Sequence, residues 1–140
     1  MAAANNSVLA LDVGGKRIGL AVAGLVARLP KPLTTLEHND KFIDTLKQII
    51  QDESASMLVV GLPRGLDGQD TEQTVTIAEF TKQLKQSFNL PVYFQDEAVT
   101  SKQAEAELQA RGKHYEKSDI DALAATYILE DWLGEHKEIV

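Results

Sequence analysis

The stretch "VLALDVGGKRIGLAV", which covers residues 8–22, restricts the fold of this chain more than any other stretch. It begins with a run of apolar residues, which is typical of a strand buried on both faces. The two consecutive glycines are the best hairpin-turn signal in the sequence, because glycine tolerates positive φ. Ile18, Leu20 and Val22 then alternate and predict a second strand. Asp12 needs an explanation, since an unpaired carboxylate in a buried strand costs several kcal/mol.

The rest of the chain predicts one α/β domain over residues 1–140, with a five-stranded mixed sheet flanked by helices. A third strand near residues 27–36 contains Pro30 and Pro32, which cannot donate to a ladder and so indicate a sheet edge. Apolar residues at helical spacing over 42–50 are followed by a buried parallel strand over 57–62. Next come a helix, the strand "LPVYF" and two more helices. This order predicts three antiparallel strands followed by two parallel ones.

Capping-box patterns predict where three helices begin. The paired positions are Asp70 with Gln73, Thr100 with Gln103, and Ser118 with Asp121.

The phase of the last helix separates its two first-turn aspartates. Residues between Ile120 and Trp132 form a core stripe at helical spacing. At about 100° per residue, Asp121 falls at the rim of this stripe and points toward the sheet, whereas Asp119 points toward water.

Three acidic positions can meet at one edge of the predicted sheet. Ligands of such sheets bind beyond the carboxyl ends of the parallel strands. Asp12 ends the first strand, and Asp96 and Glu97 end the last, where alternation sends only one of the two toward a given face. Together with Asp121 they would suit a hard cation such as Mg²⁺ and metal-assisted phosphodiester hydrolysis. Each also has an ordinary structural interpretation, as a turn residue, a solvated strand end or a helix cap.

Charge and composition argue against several other classes of protein. A net charge of −7 argues against a general nucleic-acid coat protein, although bound cations can offset local carboxylates. The chain has no cysteine, and His38, His114 and His136 lack zinc-ligand spacing and are interpreted as surface residues. No apolar run approaches the ~20 residues of a membrane span, and the first residues carry no basic signal region. We therefore expect a cytoplasmic protein that does not bind a membrane.

Four segments resemble, in order, the motif blocks of the YqgF/RuvX family: "LALDVGGKRIGLAV", "VVGLPRGLDG", "VYFQDEAVTSKQAEAEL" and "DIDALAATYILEDWL". The resemblance implies a ribonuclease H-like fold and kinship with RuvC-type Holliday junction resolvases. It also implies a nuclease that matures the 5′ end of the small-subunit (16S) ribosomal RNA precursor. The family's presumed metal ligands fall on Asp12, Glu97 and Asp121. This agrees with the prediction that acidic side chains from these elements meet at one edge of the sheet. The implied cofactor is Mg²⁺ or Mn²⁺.

The sequence departs from the family pattern at three places. Gly15 stands where threonine is usual, which should only loosen the turn. The segment Arg64-Gly65-Leu66 replaces a usual Leu-Asn-Met. Ala98 replaces a usual arginine beside Glu97 and so removes a cation that would hold phosphate or orient the carboxylate. This last departure concerns catalytic strength rather than fold.

Lys16, Arg17 and Arg64 are candidate nucleic-acid contacts, since the glycines would let a phosphate backbone approach beside Asp12. Lys16 and Arg17 are equally compatible with a solvated hairpin tip. The expected partners are precursor ribosomal RNA or branched DNA, together with ribosomal particles, and we expect a monomer or a weak homodimer.

Two other functions stay open on the sequence. One is a catalytically weak RNA- or ribosome-binding module, which the loss of arginine at position 98 and the acidic balance favour. The other is an ATP-binding actin-like or kinase half-domain, because such proteins also begin with a D-x-G hairpin. A single domain of this size does not form the two-domain cleft that they need.

Overall fold

A five-stranded sheet organises the computed structural model, which describes residues 6–63, 72–97, 101–112 and 116–137. The strands are β1 (Ser7–Val13), β2 (Arg17–Gly24), β3 (Lys31–Glu37), β4 (Ala55–Pro63) and β5 (Val92–Glu97). The helices are α1 (Phe42–Glu53), α2 (Glu72–Ser87), α3 (Ser101–Ala110) and α4 (Lys117–Glu135).

The strand order across the sheet is β3-β2-β1-β4-β5. β1 pairs with β2, and β2 with β3, in antiparallel register, whereas β4 is parallel to both β1 and β5. The predicted mixed sheet is therefore confirmed, with β3 at an edge as its prolines indicate. β1 and β4 are central, which explains why both are continuous apolar runs.

Alternate residues of the central strands fill two separate cores. Leu9 and Leu11 of β1 pack on the α1 and α2 side, in a cluster that includes Phe80 and Leu84 of α2. Val8 and Ala10 point the other way, toward α4. The apolar positions of the chain therefore predict both faces of β1, and Asp12 follows Ala10 on the α4 side because side chains alternate.

The start of α4 differs from the prediction. Its N-cap is Glu116, and the backbone N–H of Glu116 donates to Asp119 Oδ2 at 2.8 Å in a capping box. The predicted pair of Ser118 and Asp121 is therefore wrong, because the helix begins two residues earlier than that pair requires. As a result, Asp121 is free of any capping role.

The other two predicted capping pairs include Asp70 and Thr100, which lie outside the described residues. Within the described ranges, no helix is long and apolar enough to cross a membrane.

Candidate active site

Gly19 brings the first turn of α4 against the sheet beside Asp12. Asp12 and Gly19 are direct partners in the β1–β2 ladder, so their side-chain positions share one face. A Cβ at Gly19 would lie 2.1 Å from the backbone oxygen of Asp121 and 2.9 Å from the nitrogen of Ala122. The backbones of β2 and α4 therefore touch here, and half-buried Asp12 lies on the same face as the start of α4.

Asp121 points toward the sheet and forms an ion pair with Arg17 of β2. The Nε of Arg17 donates to Asp121 Oδ2 at 2.6 Å, with the two side chains 39% and 20% exposed. The predicted helical phase is thus confirmed, because Asp119 is exposed and Asp121 is half-buried. The ion pair joins residues 104 apart in the chain and was not expected.

The tip between β1 and β2 is a three-residue loop, 14–16, held from outside the hairpin. The N–H of Gly14 donates to the oxygen of Arg17 at 2.9 Å, and the N–H of His38 donates to the oxygen of Lys16 at 2.9 Å. The ring Nδ1 of His38 donates to the oxygen of Gly14 at 2.7 Å. The position of Lys16 is therefore fixed at its backbone.

Two predictions about this tip are corrected. Neither Gly14 nor Gly15 has positive φ; glycine is needed at 14 because a Cβ there would lie 2.7 Å from the oxygen of Arg17. Among the described residues, nothing lies within 4 Å of a Cβ at Gly15, so the threonine usual at this position fits beside them. His38 is not a surface residue but is half-buried, with its ring against Phe42 and Phe80.

β5 presents alternate side chains to α4. Tyr93 contacts the ring of Trp132, and Gln95 Nε2 donates to Glu135 Oε2. Glu97 is the last residue of β5, and its backbone is in register with Pro63 of β4. The side chain of Glu97 lies outside the described part of the structure, as do Arg64, Ala98 and His114.

Asp12 and Asp121 have the donor chemistry of a site for a hard cation. Both offer carboxylate oxygens, which Mg²⁺ and Mn²⁺ prefer, and they approach from two elements that touch at Gly19. Within the described ranges, no group of three or more histidine, aspartate and glutamate side chains is positioned to hold a metal. The described residues therefore fit part of a divalent-cation site and supply two of its three predicted carboxylates.

A groove of about 570 Å³ lies next to this site, between β3, α3 and the first turn of α4. Thr35, Arg111, Ser118 and Asp119 are among the residues that line it. Thr35 also fixes the start of α4, because its hydroxyl donates to the oxygen of Ser118 at 2.6 Å. Asp119 therefore lines this groove, whereas Asp121 pairs with Arg17 of β2.

Two positioning residues, Gly19 and His38, were missed from the sequence. For Gly19 the sequence does contain a signal, because an isolated glycine between the apolar residues Ile18 and Leu20 indicates a close approach of another backbone. No local pattern indicates that His38 folds back on the hairpin tip, because the contact depends on the path of the chain after β3.

Two resolvases of known structure share this architecture. T. thermophilus RuvC, solved in complex with Holliday junction substrate, aligns with a TM-score of 0.58 at 15% identity, covering 94% of this chain and 96% of that chain. The Fowlpox virus resolvase, solved with substrate Holliday junction DNA, aligns with a TM-score of 0.55 at 12% identity, covering 95% and 99%. The fold is therefore that of the RuvC-like, ribonuclease H-like class.

Sequence comparison makes the assignment more specific. The model of the family RuvX, described as Holliday junction resolvase, matches residues 6–135, and the chain belongs to this family of nucleases. Curated relatives carry the name "Putative pre-16S rRNA nuclease". One from Rippkaea orientalis is 38% identical over 135 residues, covering 94% of this chain and 97% of the relative. Another, from Crocosphaera subtropica, is 36% identical over 135 residues and covers 94% of each.

Proposed function

We propose that this chain is a divalent-metal-dependent endonuclease of structured nucleic acid that matures the 5′ end of precursor 16S ribosomal RNA in the cytoplasm. The observation that carries the proposal is the contact at Gly19, which brings Asp121 of α4 onto the face of the sheet where Asp12 lies. Two carboxylates from distant parts of the chain on one face supply oxygen ligands of the kind that a hard divalent cation prefers, and such a cation can assist phosphodiester cleavage.

In this proposal Asp12, Glu97 and Asp121 hold the cation. Tyr93 and Gln95 of β5 contact α4, and this period-two alternation supports Glu97 rather than Asp96 as the proposed third ligand. A divalent cation supplies Lewis-acid polarisation of the phosphate and activation of water. Mg²⁺ or Mn²⁺ has the ligand preference that three carboxylates satisfy.

Lys16, Arg17 and Arg64 are the proposed contacts to the nucleic-acid backbone. Lys16 is exposed at the hairpin tip, and Arg17 is the next residue, beside Asp121. Phosphate contacts of this kind orient a polyanion without reading its sequence. They also compensate locally for the net charge of −7, which opposes binding of any nucleic acid.

The proposed substrate rests on the names of the relatives rather than on the geometry of the site. Relatives covering nearly the whole chain are named for precursor 16S rRNA, whereas the family description and two structural neighbours refer to Holliday junctions. Ribosomal particles become partners in the first case, and branched DNA in the second. We favour the RNA because the sequence identity to the RNA-named relatives is higher.

The test is parallel cleavage of precursor 16S rRNA and an immobile four-way DNA junction, with Mg²⁺ and with Mn²⁺. We expect metal-dependent cleavage of the RNA by the wild type and none by Asp12→Asn. Asp44→Asn, on the exposed face of α1, is the control and should cleave like the wild type. Cleavage by Asp12→Asn at the wild-type rate would contradict the proposal, and binding without cleavage in every condition would favour a catalytically weak RNA-binding module.

A further inference from the structure

Arg17 holds one of the two described carboxylates of the site. Its Nε lies 2.6 Å from Asp121 Oδ2, so the guanidinium neutralises this carboxylate directly. Arg17 is two residues before Gly19 in β2, and both positions therefore face α4. With 39% of its side chain exposed, Arg17 also faces solvent at the edge where a nucleic acid would approach.

We propose that Arg17 is a counter-ion that alternates between Asp121 and a substrate phosphate, and that this exchange couples metal binding to substrate binding. The inference rests on the proposed metal site. Without nucleic acid, Arg17 occupies Asp121 and lowers its affinity for a divalent cation. When a substrate phosphate binds the guanidinium of Arg17, the carboxylate of Asp121 can bind the cation.

The physical argument is competition between two cations for one carboxylate. A divalent ion beside Asp121 would lie close to the guanidinium charge, and the repulsion is strong at such distances in a partly desolvated site. A phosphate is an alternative partner for arginine, because its oxygens match the planar fork in two parallel hydrogen bonds. Since coupling between two ligands is reciprocal, metal binding would in turn favour release of Arg17 to the phosphate.

This role distinguishes Arg17 from its neighbour Lys16. Lys16 carries the same charge but is exposed in the loop 14–16, outside β2 and outside the ion pair with Asp121. Removing either charge reduces the general attraction for nucleic acid. Only the loss of Arg17 should expose Asp121.

The experiment measures two affinities separately, each under conditions without cleavage. Mn²⁺ affinity is measured by calorimetry on the protein alone, and affinity for the four-way junction and for a precursor-rRNA stem is measured in EDTA. We expect Arg17→Gln to bind Mn²⁺ more tightly by roughly fivefold and to bind both nucleic acids more weakly. Lys16→Gln, the charge-matched control, should weaken nucleic-acid binding and leave Mn²⁺ affinity within about twofold.

Tighter Mn²⁺ binding together with weaker nucleic-acid binding in Arg17→Gln distinguishes this role from a purely structural one. If Arg17 only fastened α4 to the sheet, its loss would weaken both affinities, which would overturn the inference, as would an unchanged Mn²⁺ affinity in Arg17→Gln. Arg17→Lys keeps the charge and should bind Mn²⁺ nearly as the wild type does. If neither the wild type nor any Arg17 variant bound Mn²⁺, the proposed metal site would itself be wrong, and the inference would fall with it.

Discussion

At the scale of single residues, Gly19 determines how close α4 lies to the sheet. A Cβ at this position would be 2.1 Å from the backbone oxygen of Asp121, and neither backbone can yield without separating the helix from β2. Gly24 lies in the same strand, but within the part of the chain that the structure describes nothing lies within 4 Å of a Cβ there. The two glycines therefore form a matched pair for substitution.

We expect Gly19→Ala to lower the free energy of unfolding by about 1–3 kcal/mol, the usual cost of overpacking. It should also reduce cleavage strongly, because Asp121 moves away from Asp12. Gly24→Ala should change neither by much. Urea unfolding and the cleavage assay measure both effects, and equal behaviour of the two variants would show that the close approach at Gly19 is not needed.

The two aspartates in the first turn of α4 should respond differently to the same change. Asp121→Asn should abolish cleavage with stability within about 1 kcal/mol of the wild type, since its ion pair with Arg17 is partly exposed. Asp119→Asn should keep cleavage and lose about 0.5 kcal/mol, because asparagine keeps a hydrogen bond to Glu116 but not the charge at the helix N-terminus. Loss of cleavage in Asp119→Asn alone would mean that the wrong aspartate has been assigned to the site.

At the scale of elements, α4 is held at both ends by side chains from elsewhere in the chain. Thr35 contacts its first turn, and Arg28 contacts its last. The Nη2 of Arg28 donates to the oxygens of Leu133 and His136 at 2.8 and 2.9 Å. The backbone of Arg28 has a φ of 54°, a conformation that residues other than glycine rarely adopt.

We expect Arg28→Ala to cost about 1–2 kcal/mol, because it leaves two helix-end carbonyls without their charged donor while the unfavourable backbone remains. Arg111→Ala is the control, since Arg111 directly follows α3 and its exposed ion pair with Glu107 of that helix is worth about 0.3–0.5 kcal/mol. Thermal unfolding of both variants gives the comparison. An Arg28→Ala variant no less stable than Arg111→Ala would show that this cap does not stabilise α4.

The sequence predicts elements well where apolar periodicity decides them and poorly where a long-range contact does. The strands β1 and β4, the edge position of β3 and the existence of α1 all follow from apolar period or from proline. The start of α4 is not predicted in this way, because Glu116 is a less usual N-cap than Ser118. The apolar stripe of α4 fixes the buried face of the helix but not the residue at which the helix begins. The Arg17–Asp121 pair has no local signal at all, since its residues meet only once the sheet and α4 have packed.

At the scale of the whole molecule, an acidic protein must hold a polyanion. The formal charge of −7 makes the average field repulsive, so binding depends on a few local cations. Lys16 lies at the β1–β2 tip, and exposed Lys31 lies near the opposite end of the sheet, where it pairs with Val22. Both carry one charge, but only Lys16 is near the proposed site.

In an Asp12→Asn background, Lys16→Ala should therefore reduce the salt dependence of binding by roughly one unit of slope, the value for one lost phosphate contact. Lys31→Ala should leave the slope unchanged. Binding is measured across a salt series with precursor rRNA and with the four-way junction. Identical slopes for Lys16→Ala and its parent would make the hairpin tip an ordinary solvated turn.

The central claim, that Asp12 and Asp121 share a divalent cation, is tested most directly by anomalous diffraction from crystals grown with Mn²⁺. The account predicts one strong anomalous peak in contact with carboxylate oxygens of both residues, and no peak there in Asp12→Asn. A wild-type map without density between the two carboxylates, or with Mn²⁺ bound only at other acidic residues, would contradict it.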